Sequence, residues 1–157
     1  MNDTTVQRIE QLYPGLKMKA YQLIQLLSLK NIDVEISQGL RSWATQEMLY
    51  EQGRSLPGPI VTNATPAESF HTYGLAFDVD LPTATGIDWT GTSPAWQQVI
   101  SIGESIGLVS GSTFRTFPDR PHFQLGKLPL TPDETFLNLY QSGGLPAVWS
   151  YVDGLQG

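Results

Sequence analysis

Residues 69–80, SFHTYGLAFDVD, place a histidine and two aspartates within a strongly apolar stretch. Phe77 and Val79 alternate with Asp78 and Asp80, which predicts a β-strand with apolar side chains on one face and carboxylates on the other. A charged group on a half-buried strand costs free energy unless a partner compensates it. We therefore expect a compensating group to face the two aspartates.

The other histidine, His122, lies in a second alternating segment, Pro121–Leu125, and Asp119 lies three residues before it. If this segment neighbours the first strand, His71, Asp78 and His122 converge. Two imidazoles and a carboxylate with one open position are typical of catalytic zinc, which lowers the pKa of a bound water to about 7. A free carboxylate such as Asp119 then accepts the proton. Spacing alone also fits hydrogen-bonded structural histidines, so both interpretations stay open.

The rest of the chain predicts an α+β fold, a small central antiparallel sheet flanked by helices. Ser42 and the Ser93–Pro94 pair are typical helix starts. The predicted helices cover 6–13, 17–30, 42–53, 93–107 and 131–143, and the strands lie at 34–36, 75–81, 108–109, around 114 and 121–125. Residues 54–68, rich in Pro, Thr and Asn, predict a long surface loop.

Composition narrows the classes of function. The 157 residues suit a single domain, 1–157, and we expect a monomer. A net charge of −6 without any basic run argues against a nucleic-acid or anionic-membrane partner. The absence of cysteine excludes disulfides and thiolate metal sites. The first residues lack the pattern of a signal peptide, and the most apolar helical segment is too short and polar to span a bilayer.

Three short motifs resemble those of the zinc-dependent peptidoglycan peptidases. Ser69–Asp78 matches S-x-H-x-x-G-x-A-x-D, Asp119–His122 matches the acid-x-x-H motif, and SQGLRS resembles the segment that supplies an arginine. That family includes D-alanyl-D-alanine carboxypeptidases, D,D-dipeptidases and L-alanyl-D-glutamate endopeptidases, and it shares a fold with hedgehog domains. Longer segments, among them QGLRSWATQEMLYEQGRS and FPDRPHFQL, are similar to the L-alanyl-D-glutamate branch, which also uses Asp at position 119.

The resemblance implies roles for individual residues. It implies Zn²⁺ held by His71, Asp78 and His122, with Asp119 as general base and acid. It also implies that Arg41 stabilises the developing oxyanion. Further candidates for supporting the ligands or touching substrate are Ser69, Asp80, Gln46 and Asn63. Asp80 is equally interpreted as an ordinary exposed strand residue.

The implied function is hydrolysis of peptidoglycan stem peptides, most directly at the L-alanyl-D-glutamate bond. A D,D-carboxypeptidase or dipeptidase is the alternative within the enzyme class, and a non-catalytic zinc-binding module, as in hedgehog domains, is the alternative outside it. No cell-wall-binding domain is recognisable. Without a signal peptide, we expect an enzyme made in the cytoplasm that reaches the wall through a membrane pore. A phage endolysin fits that expectation, and a bacterial wall-remodelling enzyme is the other setting.

Overall fold

A computed structural model describes residues 1–157 and confirms the α+β prediction. The helices are α1 (Asp3–Glu10), α2 (Pro14–Ser28), α3 (Trp43–Glu51), α4 (Pro94–Ser105) and α5 (Glu134–Gln156). The strands are β1 (Glu35–Gln38), β2 (Ala76–Asp80), β3 (Pro82–Thr83), β4 (Gly86–Ile87), β5 (Leu108–Ser110) and β6 (His122–Leu125). The main sheet is antiparallel with the order β1-β2-β6-β5, and β3 and β4 form a separate hairpin.

The register of the central strand pair separates its two faces. Phe77 lies opposite Phe123 across β2 and β6, and their rings stack with centroids 5.9 Å apart. Both phenylalanines are fully buried in the apolar core. Because side chains alternate along a strand, the residues between them point to the other face of the sheet. A register slip of one residue would exchange the two faces, so burial of this aromatic pair stabilises the observed alignment.

The helices cover the apolar face of the sheet. Helix α2 contributes Leu16, Ala20, Leu23 and Leu27, whose spacing places them on one side of the helix. They join a cluster of 24 buried apolar residues that draws on α1, α4 and α5 as well as on the sheet. None of the helices combines the length and apolar character that a bilayer-spanning helix needs.

Both predicted serine caps are confirmed. The hydroxyl of Ser42 accepts the backbone N–H of Thr45 at 3.1 Å, and that of Ser93 accepts the N–H of Trp96 at 3.3 Å. These bonds satisfy donors that the first turn of a helix leaves free. Cap signals are local in sequence, and helices α3 and α4 accordingly begin where the prediction placed them.

The last helix breaks at Gly144, as predicted, but the prediction that it stops there misses a second helical arm. Gly144 adopts φ 66° and ψ −160°, which kinks α5, but the helix resumes and continues to Gln156. Pro146 lies in the first turn of this second arm, a position that needs no N–H donor. Val148 and Val152 of the arm are fully buried, so tertiary packing restarts the helix.

Two smaller expectations have different outcomes. The predicted strand around Phe114 is wrong, because Phe114 ends the 3₁₀ helix Gly111–Thr113 and pairs with no strand. Residues 54–65 form the expected exposed loop, whereas Pro66–Glu68 and Phe70–Tyr73 are short 3₁₀ helices.

Candidate metal and catalytic site

Two imidazoles and a carboxylate meet at one point on the polar face of the sheet. His71 Nε2 lies 3.2 Å from Asp78 Oδ1 and 3.2 Å from His122 Nδ1, and the third side of this triangle, His122 Nδ1 to Asp78 Oδ1, is 3.4 Å. Both histidines are buried. The three side chains predicted to converge are therefore brought together.

Three elements place these side chains. Asp78 of β2 and His122 of β6 are direct partners across the antiparallel pair. His71 comes from the 3₁₀ helix Phe70–Tyr73, which ends at Gly74 with φ 68°. Only a residue that tolerates the left-handed region lets the chain turn so tightly from that helix into β2. A Cβ at this position would also approach Trp149 to 3.3 Å.

Hydrogen bonds to the far side of each ring determine which nitrogen faces the site. His71 Nδ1 donates to the carbonyl of Gly39 at 2.9 Å, and His122 Nε2 donates to Gln124 Oε1 at 2.9 Å. The amide of Gln124 donates in turn to the carbonyl of Leu130 at 3.0 Å, so its oxygen is the atom that accepts. The inward nitrogens of both histidines are consequently lone-pair donors toward the site.

This donor set fits a metal ion. Asp78 Oδ1 is buried and makes no hydrogen bond, and it faces two nitrogen lone pairs. Ligands about 2.0–2.1 Å from a tetrahedral zinc ion lie about 3.3 Å from one another, which matches the sides of the triangle. The supporting bonds from Gly39 and Gln124 are of the kind that orient metal-binding histidines.

The electrostatics of the triangle also favour a cation. Burial would raise the pKa of Asp78, but positive charge at the two imidazoles outweighs this effect and holds the pKa well below its ordinary value. Burial would likewise lower the pKa of His122, yet the carboxylate of Asp78 raises it above its usual range. The site thus attracts positive charge despite being dehydrated.

Arg41 lies beside the triangle. Its Nη2 is 3.5 Å from Asp78 Oδ2, and its backbone N–H donates to the carbonyl of His71 at 3.0 Å. Burial lowers the pKa of Arg41, while the charges of Asp78 and Asp119 raise it. A guanidinium remains charged under such conditions, so the site holds a fixed cation next to the donor triangle.

Asp119 lies in the turn that enters β6, close enough to Asp78 and Arg41 for their charges to act on it. Its backbone N–H donates to Gly111 at 2.9 Å, and its carbonyl accepts the N–H of His122 at 3.1 Å. A Cβ at Gly111 would lie only 2.3 Å from that same carbonyl oxygen, so the turn requires glycine there. Burial, reinforced by the charge of Asp78, raises the pKa of Asp119.

Gln46 is not the exposed side chain that its position in a short helix suggests. It is 1% exposed; its Oε1 accepts from Arg41 Nη1 at 2.8 Å and its Nε2 donates to the carbonyl of Ala64 at 2.9 Å. It thereby connects the arginine to the loop before Pro66. Asn63 in that loop lines the cavity that contains Arg41 and both histidines, and its Oδ1 accepts from Arg54 at 3.1 Å.

The structure separates Ser69 and Asp80 from the donor triangle. Ser69 is buried and lines the cavity, but its hydroxyl makes no hydrogen bond to either histidine. Asp80 shares the polar face of β2 and lies toward β1, in a different cavity from His71. Burial raises the pKa of Asp80, while a hydrogen bond from Ser37 lowers it.

Sequence reasoning missed two supporting groups, the side chain of Gln124 and the carbonyl of Gly39. Gln124 lies two residues after His122 on a strand, so both side chains lie on one face. This two-residue spacing could have indicated the contact between them. The carbonyl of Gly39 has no signal in the sequence, because its contact with His71 joins distant segments.

Two cavities meet at the candidate site. The main cavity, about 760 Å³, opens toward the 61–70 segment and the 113–117 loop and includes Arg41 and both histidines. A second cavity, about 450 Å³, opens toward β1 and α1. Asp78 and Asp119 line both cavities, so these two carboxylates lie between them, whereas His71 and His122 line the main cavity only.

Comparison with known proteins places these residues in context. The family described as D-alanyl-D-alanine carboxypeptidase matches residues 62–125. That range contains His71, Asp78, Asp119 and His122, and it begins after Arg41.

Two individual proteins extend the comparison. The peptidoglycan L-alanyl-D-glutamate endopeptidase CwlK of Bacillus subtilis is 36% identical over 122 residues, covering 73% of this chain and 73% of that protein. The L-Ala D-Glu endopeptidase ChiX of Serratia marcescens has a similar structure, with a TM-score of 0.60 at 22% identity, covering 80% of this chain and 88% of that one. The second likeness supports the fold.

Proposed function

The chain belongs to the D-alanyl-D-alanine carboxypeptidase family of metallopeptidases, and from this premise we propose that it hydrolyses the L-alanyl-D-glutamate bond of peptidoglycan stem peptides. The observation that carries the proposal is the buried triangle of donor atoms from His71, Asp78 and His122, flanked by Arg41 and Asp119. The choice of bond rests on the similarity to CwlK, whose name states that specificity.

We propose that His71, Asp78 and His122 hold Zn²⁺. Two neutral imidazoles and one carboxylate leave a fourth position free, as in catalytic rather than structural zinc sites. When bound, zinc supplies Lewis acidity and a water of lowered pKa. Gly39 and Gln124 orient the two rings, so the binding atoms stay in place between turnovers.

Asp119 is the proposed general base and acid. Its carboxylate takes the proton from the attacking water and passes it to the nitrogen of the leaving amine. The amine therefore does not have to leave as an anion in the buried site. Its partial burial and the nearby negative charge of Asp78 favour proton uptake, as the direction of its pKa shift indicates.

Arg41 is the proposed electrostatic catalyst. As the carbonyl carbon becomes tetrahedral, its oxygen gains negative charge, which a guanidinium fixed in advance stabilises without reorganisation. Gln46 and Asp78 fix that guanidinium from two directions. Asn63, an exposed residue of the loop that lines the main cavity, is a further candidate for contact with the peptide.

Digestion of defined muropeptides, with and without a chelator, tests the proposal. Mass spectrometry should show the sugar retaining only L-Ala, with the peptide from D-Glu onward released, and chelation should abolish the reaction. Loss of a terminal D-Ala instead would favour the D,D-carboxypeptidase alternative. Stoichiometric zinc with no turnover on any wall fragment would favour the non-catalytic module.

We further propose that residues 1–157 work as one monomeric catalytic domain, since a shared apolar cluster joins α1 to α5. Light scattering on the purified protein measures the mass in solution, and a dimer would contradict the second part of this proposal.

An endolysin role in phage lysis is proposed on the resemblance of the motif set to phage peptidases. Co-expression with a pore-forming protein tests it: rapid host lysis that His122→Ala abolishes would support the role, and intact cells would favour wall remodelling.

A further inference from the structure

The second cavity approaches the candidate site from the side of β1 and α1, where Ser37 and Gln38 of the first strand and Arg8 form its wall. Strand β2 lies between β1 and β6, so this cavity and the main one flank Asp78 from different directions. A substrate cleaved at the donor triangle must extend both ways from the scissile bond. The two cavities are the places where its halves would lie.

Charge assigns each half of a stem peptide to one cavity. In peptidoglycan, D-glutamate is linked through its γ-carboxyl, so the half after the scissile bond carries a free carboxylate. Beyond the carboxylates of Asp78 and Asp119, which it shares with the second cavity, the main cavity offers the guanidinium groups of Arg41 and Arg115. Its Glu68 is occupied in a capping box with Thr65. Opposite charges attract across such a cleft, so the anionic half suits the main cavity.

The second cavity suits a neutral half. Asp80 adds a third carboxylate to the shared Asp78 and Asp119, and the one guanidinium there, from Arg8, donates to the carbonyl of Ile36 at 2.8 Å. An anion would be repelled. The half before the scissile bond is neutral, since it consists of L-alanine amide-linked to N-acetylmuramic acid.

An exposed tryptophan lines this second cavity. Trp89 is 69% exposed, against 37% for Trp43 and 1% for Trp96. The residue before it is anchored by two bonds: the N–H of Asp88 donates to the carbonyl of Leu81 at 2.9 Å, and the carbonyl of Asp88 accepts the Nε1–H of Trp96 at 2.8 Å. A large aromatic face left in water beside a site is a feature of ligand recognition. Pyranose rings pack their apolar C–H face on indoles.

We propose that the second cavity binds the N-acetylmuramic acid residue of the substrate, with Trp89 packed against the sugar ring. This inference rests on the proposed function and adds the orientation of the bound substrate. The glycan end of the substrate lies toward β1, and its D-glutamate end lies toward Arg115. The enzyme then recognises a stem peptide attached to sugar in preference to a free peptide.

Two substrates test the subsite. One is N-acetylmuramyl-L-Ala-γ-D-Glu-L-Lys-D-Ala, and the other carries an N-acetyl group in place of the sugar, so that both are uncharged before the scissile bond. The unchanged protein should show a kcat/KM about tenfold higher on the muramyl substrate, the scale of one aromatic contact. Trp89→Ala should bring this ratio close to one, and Trp89→Tyr should restore part of it.

Trp43→Ala is the matched control, because Trp43 lines neither cavity and stacks on Tyr140 at 5.8 Å. It should keep the ratio of the unchanged protein. A ratio near one in the unchanged protein, or a ratio that Trp89→Ala leaves intact, would overturn the subsite while the proposed function stood. Failure of the unchanged protein to cut either substrate at L-Ala–D-Glu would overturn the proposed function itself.

Discussion

Asp78 and His122 are direct partners in the β2–β6 pair, and their facing atoms, Oδ1 and Nδ1, are 3.4 Å apart. The backbone register alone therefore supplies two of the three donor atoms, while His71 arrives from a turn. Because Phe77 and Phe123 hold that register from the opposite face, core packing and site geometry are consequences of one alignment.

Removing one donor atom should separate binding from catalysis. His122→Ala leaves two of the three donors, and we expect loss of both stoichiometric zinc and muropeptide cleavage. Asp119→Ala should keep the zinc and lower kcat by about 10²–10⁴-fold, the range for a lost general base. Metal analysis after dialysis, together with initial rates, checks the pair. Full activity in either variant would contradict the assigned roles.

Gln124 should act on the metal through His122. Gln124→Leu removes the acceptor of the ring N–H, and we expect zinc affinity to fall about 10–100-fold, as for other lost ligand-orienting bonds. Competition with a zinc-binding dye measures this. Gln98→Leu is the control, since Gln98 is exposed on α4 and should not change the affinity. Equal affinities in the two variants would show that the bond to His122 is not needed.

Gln46 should position Arg41 without affecting the metal. Gln46→Ala removes the acceptor for Arg41 and the donor for Ala64, so we expect kcat to fall about tenfold with zinc content unchanged. Glu47→Ala, the exposed neighbour on α3, provides the comparison. Gln46→Glu keeps an acceptor for the guanidinium and should recover part of the rate. An unaltered kcat in Gln46→Ala would mean that Arg41 keeps its position without the hydrogen bond to Gln46.

Gly111 should be required for the turn that carries Asp119. A methyl group there collides with the Asp119 carbonyl, so Gly111→Ala should shift that turn and lower kcat/KM by at least about tenfold, since catalysis depends on placement within about 1 Å. A Cβ at Gly154 has no atom within 4 Å, so Gly154→Ala should leave kcat/KM unchanged. Steady-state kinetics of the two variants decides, and similar values for both would refute the argument.

Alkaline pH should weaken the fold through Tyr13. Burial, with the hydrogen bond to Asp153 at 2.6 Å, raises the pKa of Tyr13 to about 12, whereas an unfolded tyrosine ionises near 10. The neutral form is favoured in the folded state, so this stabilisation is fully present below about pH 10 and is lost as the pH rises to about 12.

Urea unfolding of Tyr13→Phe across that range tests the point. Below pH 10 the variant should be about 1 kcal/mol less stable, the scale of one hydrogen bond, and its deficit should shrink toward pH 12. Tyr50→Phe, whose hydroxyl bonds to no carboxylate, should track the unchanged protein. A deficit in Tyr13→Phe that is constant with pH would refute the assignment to ionisation.

Local patterns predicted the parts of the fold that local forces govern. The serine caps and the period of two around Asp78 depend on near neighbours, and they located two helices and the central strand. The burial of Gln46 and the second arm of α5 could not be predicted in this way. Gly143–Gly144 followed by Pro146 has the local pattern of a helix end, and only distant contacts of Val148 and Val152 override it.

The same limit applies to the site. The donor residues were predicted from motifs and face alternation, but Asp80, on the same face of β2 as Asp78, lies beyond the start of β6 and pairs only with Glu35 of β1. The alternation of side chains predicts which face of the sheet a residue lies on. It does not predict which neighbouring strand pairs with that residue.

The second arm of α5 helps to hold the turn that would bind the proposed metal ion. Trp149 Nε1–H donates to Tyr73 at 2.8 Å, and Tyr13 N–H donates to Gly74 at 3.0 Å, so two distant segments clamp the turn that carries His71. If this arm unfolded locally, the turn that carries His71 would become more mobile. Metal binding would then weaken, although no residue of the arm is a metal ligand. By linkage, zinc should slow amide exchange in residues 145–156, which supply no ligand but support the turn of His71.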